Sequence, residues 1–151
     1  MKYIESDSEN EGCFFCDALV SDKDRDNLVL YRGERTFLIM NRYPYTNAHL
    51  MAVPNRHVGE ITELKIEEIS EMMNLVQESV RVLKKAVKPH GFNVGMNLGR
   101  VAGAGVVDHV HLHIVPRWGG DVNFMPVLGE TKVISEHIMD TYDRLKPYFL
   151  R

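Results

Sequence analysis

Long hydrophobic runs are missing from this chain. No stretch approaches the roughly 20 apolar residues of a membrane span, and MKYIESDSENEG at the start holds no apolar segment of the secretory kind. A cytoplasmic protein is the expectation. A surplus of positive charge is missing too: 18 Lys and Arg against 21 Asp and Glu give a net charge of −3. No global basic field recruits nucleic acid, so an anionic ligand would need a local set of donors. Cysteine is scarce. Cys13 and Cys16 are the whole complement, and a reducing compartment argues against a structural disulfide. Their C-x-x-C spacing leaves metal ligands, a redox pair or buried thiols. Internal repeats and low-complexity segments are absent as well.

What is present suffices for one core. With 151 residues, 44% of them hydrophobic, the chain reads as a polar, flexible tail over 1–11 and a single domain over 12–151. Residues 13–20 suit a short helix or a knuckle. Leu28–Tyr31, Thr36–Asn41 and Ala48–Val53 read as strands, the first two joined across Gly33. Ile66, Ile69, Met73, Val76, Val80, Leu83 and Val87 recur at helical spacing, which predicts a long amphipathic helix with Thr62 as N-cap and Pro89-His90-Gly91 as stop. Phe92–Leu98 alternates apolar residues with Asn93, Gly95 and Asn97, a strand with one polar or close-approach face. Asp108–Val115 is a further strand, and Thr131–Leu145 suits a C-terminal helix. The sum is an α+β domain with about five antiparallel strands around one long helix.

The most informative stretch is His109-Val110-His111-Leu112-His113-Ile114-Val115. In extended backbone the three imidazoles share one face, roughly 6.5–7 Å apart. That spacing suits an attacking imidazole flanked by two groups able to bind backbone, leaving group or metal. A solvated face and a three-histidine zinc site are the competing readings.

The run resembles the H-φ-H-φ-H-φ-φ signature (φ apolar) of the histidine triad family. Asn41 lies eight residues before His49, as the family's ribose-binding Asp or Asn does, and residues 47–57 (NAHLMAVPNRH) resemble its G-H-x-L-φ-x-P-x-x-H segment, with Ala48 in place of Gly. The matches span residues 13 to about 125. The extension over 116–124 (PRWGGDVNF) resembles the branch of bacterial diadenosine tetraphosphate phosphorylases. The resemblance implies an antiparallel sheet with a long helix, usually as a homodimer or higher homo-oligomer. It makes His111 the nucleophile that forms a nucleotidyl-histidine at the α-phosphate. His113 would contact phosphate oxygens or the leaving group, and His49 would extend the histidine network. Asn41 would bind ribose, and Asn97 the phosphate or leaving group. It also implies a structural zinc on Cys13, Cys16, His57 and His109, a closed set with no position left for water.

Gly99–Gly105 precedes the triad, and backbone N–H groups at Gly103, Ala104 and Gly105 suit an anion. Here the sequence departs from the family, which commonly has Ser, Thr or Gln-Ser late in this loop. Ala104, Gly105, Val106 and Val107 offer no hydroxyl, which tips the expectation from phosphorolysis toward hydrolysis. Arg117 and Trp118 are candidates for a phosphate and a base, with Phe14, Phe15 and Ile39 as an apolar slot. The expected function is cleavage of dinucleoside polyphosphates of the diadenosine tetraphosphate kind. The alternatives are a nucleoside phosphoramidase or adenylylsulfate-cleaving enzyme, or a nucleotide-binding regulatory module with vestigial catalysis.

Overall fold

Five short segments of mostly apolar residues pair into one sheet in the computed structural model, which describes residues 12–122 and 136–150. They are β1 (Val29–Arg32), β2 (Thr36–Met40), β3 (Leu50–Pro54), β4 (Gly91–Gly95) and β5 (Leu112–Arg117). All neighbours are antiparallel, in the order β1-β2-β3-β5-β4. One register row crosses the sheet as Val29, Ile39, Met51, His113 and Gly95. Residues paired directly across strands project to the same side, so His113 stands beside Met51 and faces the glycine gap in β4. The expected tail over 1–11 and the start of the expected C-terminal helix lie outside the described residues.

Two edges close this sheet differently. Along β1 the Tyr142 hydroxyl donates to the Val29 carbonyl at 2.9 Å, and the Lys146 amino group donates to the Val29 and Leu30 carbonyls at 3.1 Å each. Tyr142 belongs to a C-terminal helix, α4 (Ile138–Leu145). β4, at the opposite edge, has no such cover among the described residues, and its Val94 is exposed.

After two short helices, α1 (Phe14–Val20) and α2 (Asp24–Asn27), the long helix α3 (Ile66–Ala86) forms where the spacing predicts it, in a different phase. Its buried face is Glu68, Met72, Leu75, Val76, Ser79, Val82 and Leu83, while Ile66, Ile69 and Met73 are exposed. Glu68 sets the phase. Its carboxylate accepts the Lys65 backbone N–H at 2.8 Å and two bonds from the Arg56 guanidinium at 3.0 and 2.9 Å, and that paired charge turns inward. The helix consequently begins after Lys65, and the expected cap Thr62 sits in a 3₁₀ turn over Ile61–Glu63. The stop is as expected, with Lys88 in the left-handed region (φ 48°) before Pro89.

The fifth strand begins four residues and ends two residues later than Asp108–Val115, with Pro116 paired to Phe92 inside it. Pro116 has no N–H to give, but β5 has left β3 behind at Ile114 and needs a partner on one side only. His109 and His111 therefore precede the ladder. Val110 is held by its N–H on the Val58 carbonyl at 2.8 Å.

Candidate active site

A short helix, α1 (Phe14–Val20), anchors one end of the site. The Arg32 guanidinium donates to the Ala18 and Ser21 carbonyls at 2.9 and 2.6 Å, while Asp24 balances its charge. This clamp at the C-terminal end of α1, where carbonyls lack helical partners, lays Phe15 on the sheet. The buried Phe15 ring meets those of Phe37, His109 and His111 at centroid distances of 6.4, 5.4 and 5.0 Å.

The same helix start carries Cys13 and Cys16 toward His57 and His109. The donor atoms of all four lie within 4.8 Å of one another. Cys13 Sγ is 3.4 Å from His109 Nδ1, and Cys16 Sγ is 3.3 Å from His57 Nδ1 and 3.6 Å from His109 Nδ1. A tetrahedron with zinc–sulfur and zinc–nitrogen bonds of about 2.3 and 2.05 Å has edges of about 3.6 Å. The tautomer also fits. His109 Nε2–H donates to the Pro54 carbonyl at 2.8 Å, which leaves the Nδ1 lone pair turned to the sulfurs, the outer-sphere arrangement typical of a ligating histidine. In the bare protein, burial and then the Cys13 sulfur push the Cys16 thiol up to about 11, a proton that a bound metal would displace.

Two residues on, the same device is reversed. His111 Nδ1–H donates to the His109 backbone carbonyl at 3.0 Å, which leaves the lone pair on Nε2. Burial lowers the His111 pKa, against the opposing pull of that carbonyl, so the ring is neutral at physiological pH. His113 follows, its ring 4.8 Å from that of His111. Burial, then the neighbouring His111, lower its pKa to about 4. His49 Nε2 and His113 Nδ1 are 2.8 Å apart, and the Tyr45 ring lies over both histidines.

A cleft of about 390 Å³ opens beside His113, a size suited to a small ligand. Its lining includes Tyr45, Asn93, Asn97 and Arg117. Arg117 is pre-oriented there: Asp121 accepts from Nε and Nη2 at 2.6 and 2.9 Å, and Asn93 accepts from Nη1 at 2.7 Å. The hydrogen bond from Arg117 holds the Asp121 carboxyl down at about 2.

Comparison with known proteins now decides the lineage. The family model for the HIT domain matches residues 22–120. The chain belongs to the HIT family. It is 47% identical over 118 residues to AP-4-A phosphorylase of Mycobacterium tuberculosis, covering 78% of this chain and only 60% of that relative. A histidine triad nucleotide-binding protein from Sulfolobus tokodaii superposes with a TM-score of 0.69 at 27% identity, over 91% of this chain and 89% of that one. A zinc-bound histidine triad protein from Mycobacterium smegmatis shares the fold, with a TM-score of 0.71 at 22% identity over 91% and 93% of the two chains.

With the HIT frame in place, the other expected residues sort by position. Asn41 sits against His49, with Nδ2 at 3.4 Å from Nδ1. Asn97 reaches the cleft and donates to the Gly103 carbonyl at 3.4 Å. The N–H groups of Gly103 and Ala104 are spent inside the loop, on the carbonyls of Arg100 and Gly99, so the loop closes on itself. Gly105 is exposed. Phe15 and Ile39 are buried and Phe14 half-buried, all three packed in or against the core. Trp118 lies at a separate cavity of about 360 Å³ with Asn47, Lys88 and Arg144. Tyr45, Asn93 and Asp121 are the contributors that the sequence reading missed. For Tyr45 the available signal was the Tyr-Pro-Tyr-Thr-Asn turn over 43–47 that leads into His49.

No described helix is long and apolar enough to cross a membrane.

Proposed function

We propose that this HIT protein cleaves dinucleoside polyphosphates at the α-phosphate, with His111 as the covalent nucleophile. One observation carries the reading: the His111 ring holds its proton at Nδ1 on the His109 carbonyl, so Nε2 keeps its lone pair, and that ring lies 4.8 Å from the ring of His113, which lines the cleft together with Arg117. Nε2 attacks the α-phosphorus, the bond from phosphorus to the bridging oxygen breaks, and the polyphosphate leaves with the electron pair. The nucleotidyl-imidazolium keeps its Nδ1–H on the same carbonyl, which offsets the new charge. Water then attacks phosphorus as the bond to Nε2 breaks, the imidazole leaves with that electron pair as the neutral ring, and the proton of the attacking water passes to solvent. Arg117 binds phosphate oxygens with its remaining N–H groups, and Asn97 and His113 flank the reacting group.

Water is the preferred acceptor in this reading. Ala104 and Gly105 carry no hydroxyl, and the N–H groups of Gly103 and Ala104 are occupied, which leaves few donors for inorganic phosphate. Cys13, Cys16, His57 and His109 would hold zinc, which when bound supplies a rigid cross-link between α1 and the segment bearing His111. Thiol ligands of this kind suit a reducing cytoplasm. The open β4 edge supports assembly as a homodimer.

Incubation with diadenosine tetraphosphate, with and without phosphate, tests the reading. AMP plus ATP in both conditions is the expected result. ADP plus ATP made only with phosphate reverses the choice of acceptor, and no product from this or any other adenylyl compound removes the catalytic reading.

A further inference from the structure

A chain of directed hydrogen bonds runs from a backbone turn to the cleft, and every link has one possible sense. It begins at Tyr43, whose backbone N–H donates to Asn41 Oδ1 at 2.9 Å. That fixes the amide's orientation, so Asn41 Nδ2 is the atom facing His49 Nδ1, at 3.4 Å. The Tyr45 backbone N–H donates to the same Nδ1 at 3.0 Å. With two N–H groups directed at it, Nδ1 of His49 must be an acceptor, and the proton of the neutral ring sits on Nε2. His49 Nε2 then donates to His113 Nδ1, at 2.8 Å. His113 Nδ1 is occupied as an acceptor in turn, so its proton sits on Nε2. That nitrogen is buried and has no hydrogen-bond partner among the described residues.

We propose that Asn41 is a positioning residue which, with the turn that follows it, acts through His49 to lock His113 as a neutral Nε2–H donor for a substrate oxygen. The reading of the substrate as a phosphate ester rests on the proposed function; the tautomer does not. The lock has a chemical consequence. His113 cannot become an imidazolium by taking a proton at Nδ1 unless His49 gives up its own Nε2 proton, and His49 cannot take one back at Nδ1 while two N–H groups face it. His113 therefore stabilises a phosphate oxygen by donation and does not cycle as an acid and base. The titratable groups around the pair leave this unchanged. Among the described residues they include Tyr45, stacked on His113 and tilted on His49, His111 edge-on to His113, and Arg117 and Asp121, already paired with each other in the cleft lining. Asn41 thus serves the histidine pair, a task separate from the ribose contact that sequence resemblance implies for it.

Long-range ¹H–¹⁵N correlation of the imidazole nitrogens in the zinc-loaded full chain, without nucleotide, reads the tautomers directly. His49 and His113 are both expected as Nε2–H forms from pH 8 to 6. In Asn41→Asp a carboxylate oxygen replaces the Nδ2–H donor, so a second proton should appear on His49 Nδ1 over the same range. Asn41→Ala removes one of the two N–H groups on His49 Nδ1, so a fraction of the Nδ1–H form of His49 should become detectable, and kcat for diadenosine tetraphosphate should fall about fivefold with KM nearly unchanged. A His113 spectrum showing Nδ1–H overturns the proposal. So does an Asn41→Ala variant that raises KM alone, with kcat and the nitrogen shifts intact, since that is the behaviour of a pure ribose contact. Absence of turnover in the unmutated enzyme would count against the substrate reading only, and the spectra would still decide the lock.

Discussion

His109 and His111 are two residues apart, both buried, both neutral, and used in opposite ways. His109 ties Nε2 to the Pro54 carbonyl and turns Nδ1 to two sulfurs; His111 ties Nδ1 to the carbonyl of His109 and keeps the lone pair of Nε2, which the proposed reaction directs at an electrophile. The residue type is the same, and the partner of one ring nitrogen decides the role of the other. The two are also joined, because the backbone carbonyl that sets the His111 tautomer belongs to the residue whose ring meets Cys13 and Cys16. A metal bound there would hold the hydrogen-bond acceptor of the proposed nucleophile in place without touching the substrate.

Removing the nucleophile should separate the two ends most sharply. His111→Ala is expected to lower kcat at least about a thousandfold while one zinc per chain and measurable nucleotide binding persist; single-turnover assays and metal analysis on the same sample check it. Loss of zinc together with turnover would mean that the ends are not separable. Cys16→Ser attacks the other end. It should abolish zinc retention and lower the melting temperature by about 5–10 °C, read by calorimetry alongside metal content. Protein purified without chelator and found to contain no zinc would dissolve the comparison.

Arg117→Ala belongs to the cleft end alone and should raise KM about tenfold with little change in kcat and none in metal content. Gly105→Ser is the subtler test. Gly105 is exposed and is not among the glycines with positive φ, so its backbone conformation accepts a serine. Its hydroxyl should raise the ratio of ADP to AMP formed in saturating phosphate about threefold, measured by chromatography.

The smallest effect is on acid stability. The folded-state pKa of His113 lies at about 4, below its ordinary value of 6.5, because burial disfavours the cation. The unfolded chain therefore binds the extra proton first, and stability is fully present above about pH 6.5. It falls as pH drops from there toward 4. His111, shifted in the same direction, adds to the slope. Denaturant titrations at pH 7, 6, 5 and 4.5 should give steadily lower midpoints, and His113→Asn should flatten the trend.

Much of this was legible in the chain. The C-x-x-C, the histidine after the proline and the first triad histidine do converge, and the five strands form near their expected bounds. What failed to show in the letters failed for definable reasons. Hydrophobic spacing counts apolar residues only, so it could not know that Glu68, satisfied by Arg56 and the Lys65 N–H, would take a core position and expose Ile66, Ile69 and Met73. A proline normally ends a strand, and Pro116 is tolerated only because β5 has lost one neighbour by that point. Asp121 and Asn93 escaped notice because their role, holding Arg117 flat at the cleft, exists only after β4 and β5 pair. The donors at Gly103 and Ala104 were expected for an anion, and the loop's own carbonyls took them first.

One outer strand of the sheet has its carbonyls sealed by a tyrosine hydroxyl and a lysine ammonium, while the other is bare among the described residues. A ribbon with a single usable margin can be extended by strand pairing once. Two copies joined along their bare margins would present only sealed ones, and the combined sheet would stop at ten strands with no route to a fibre.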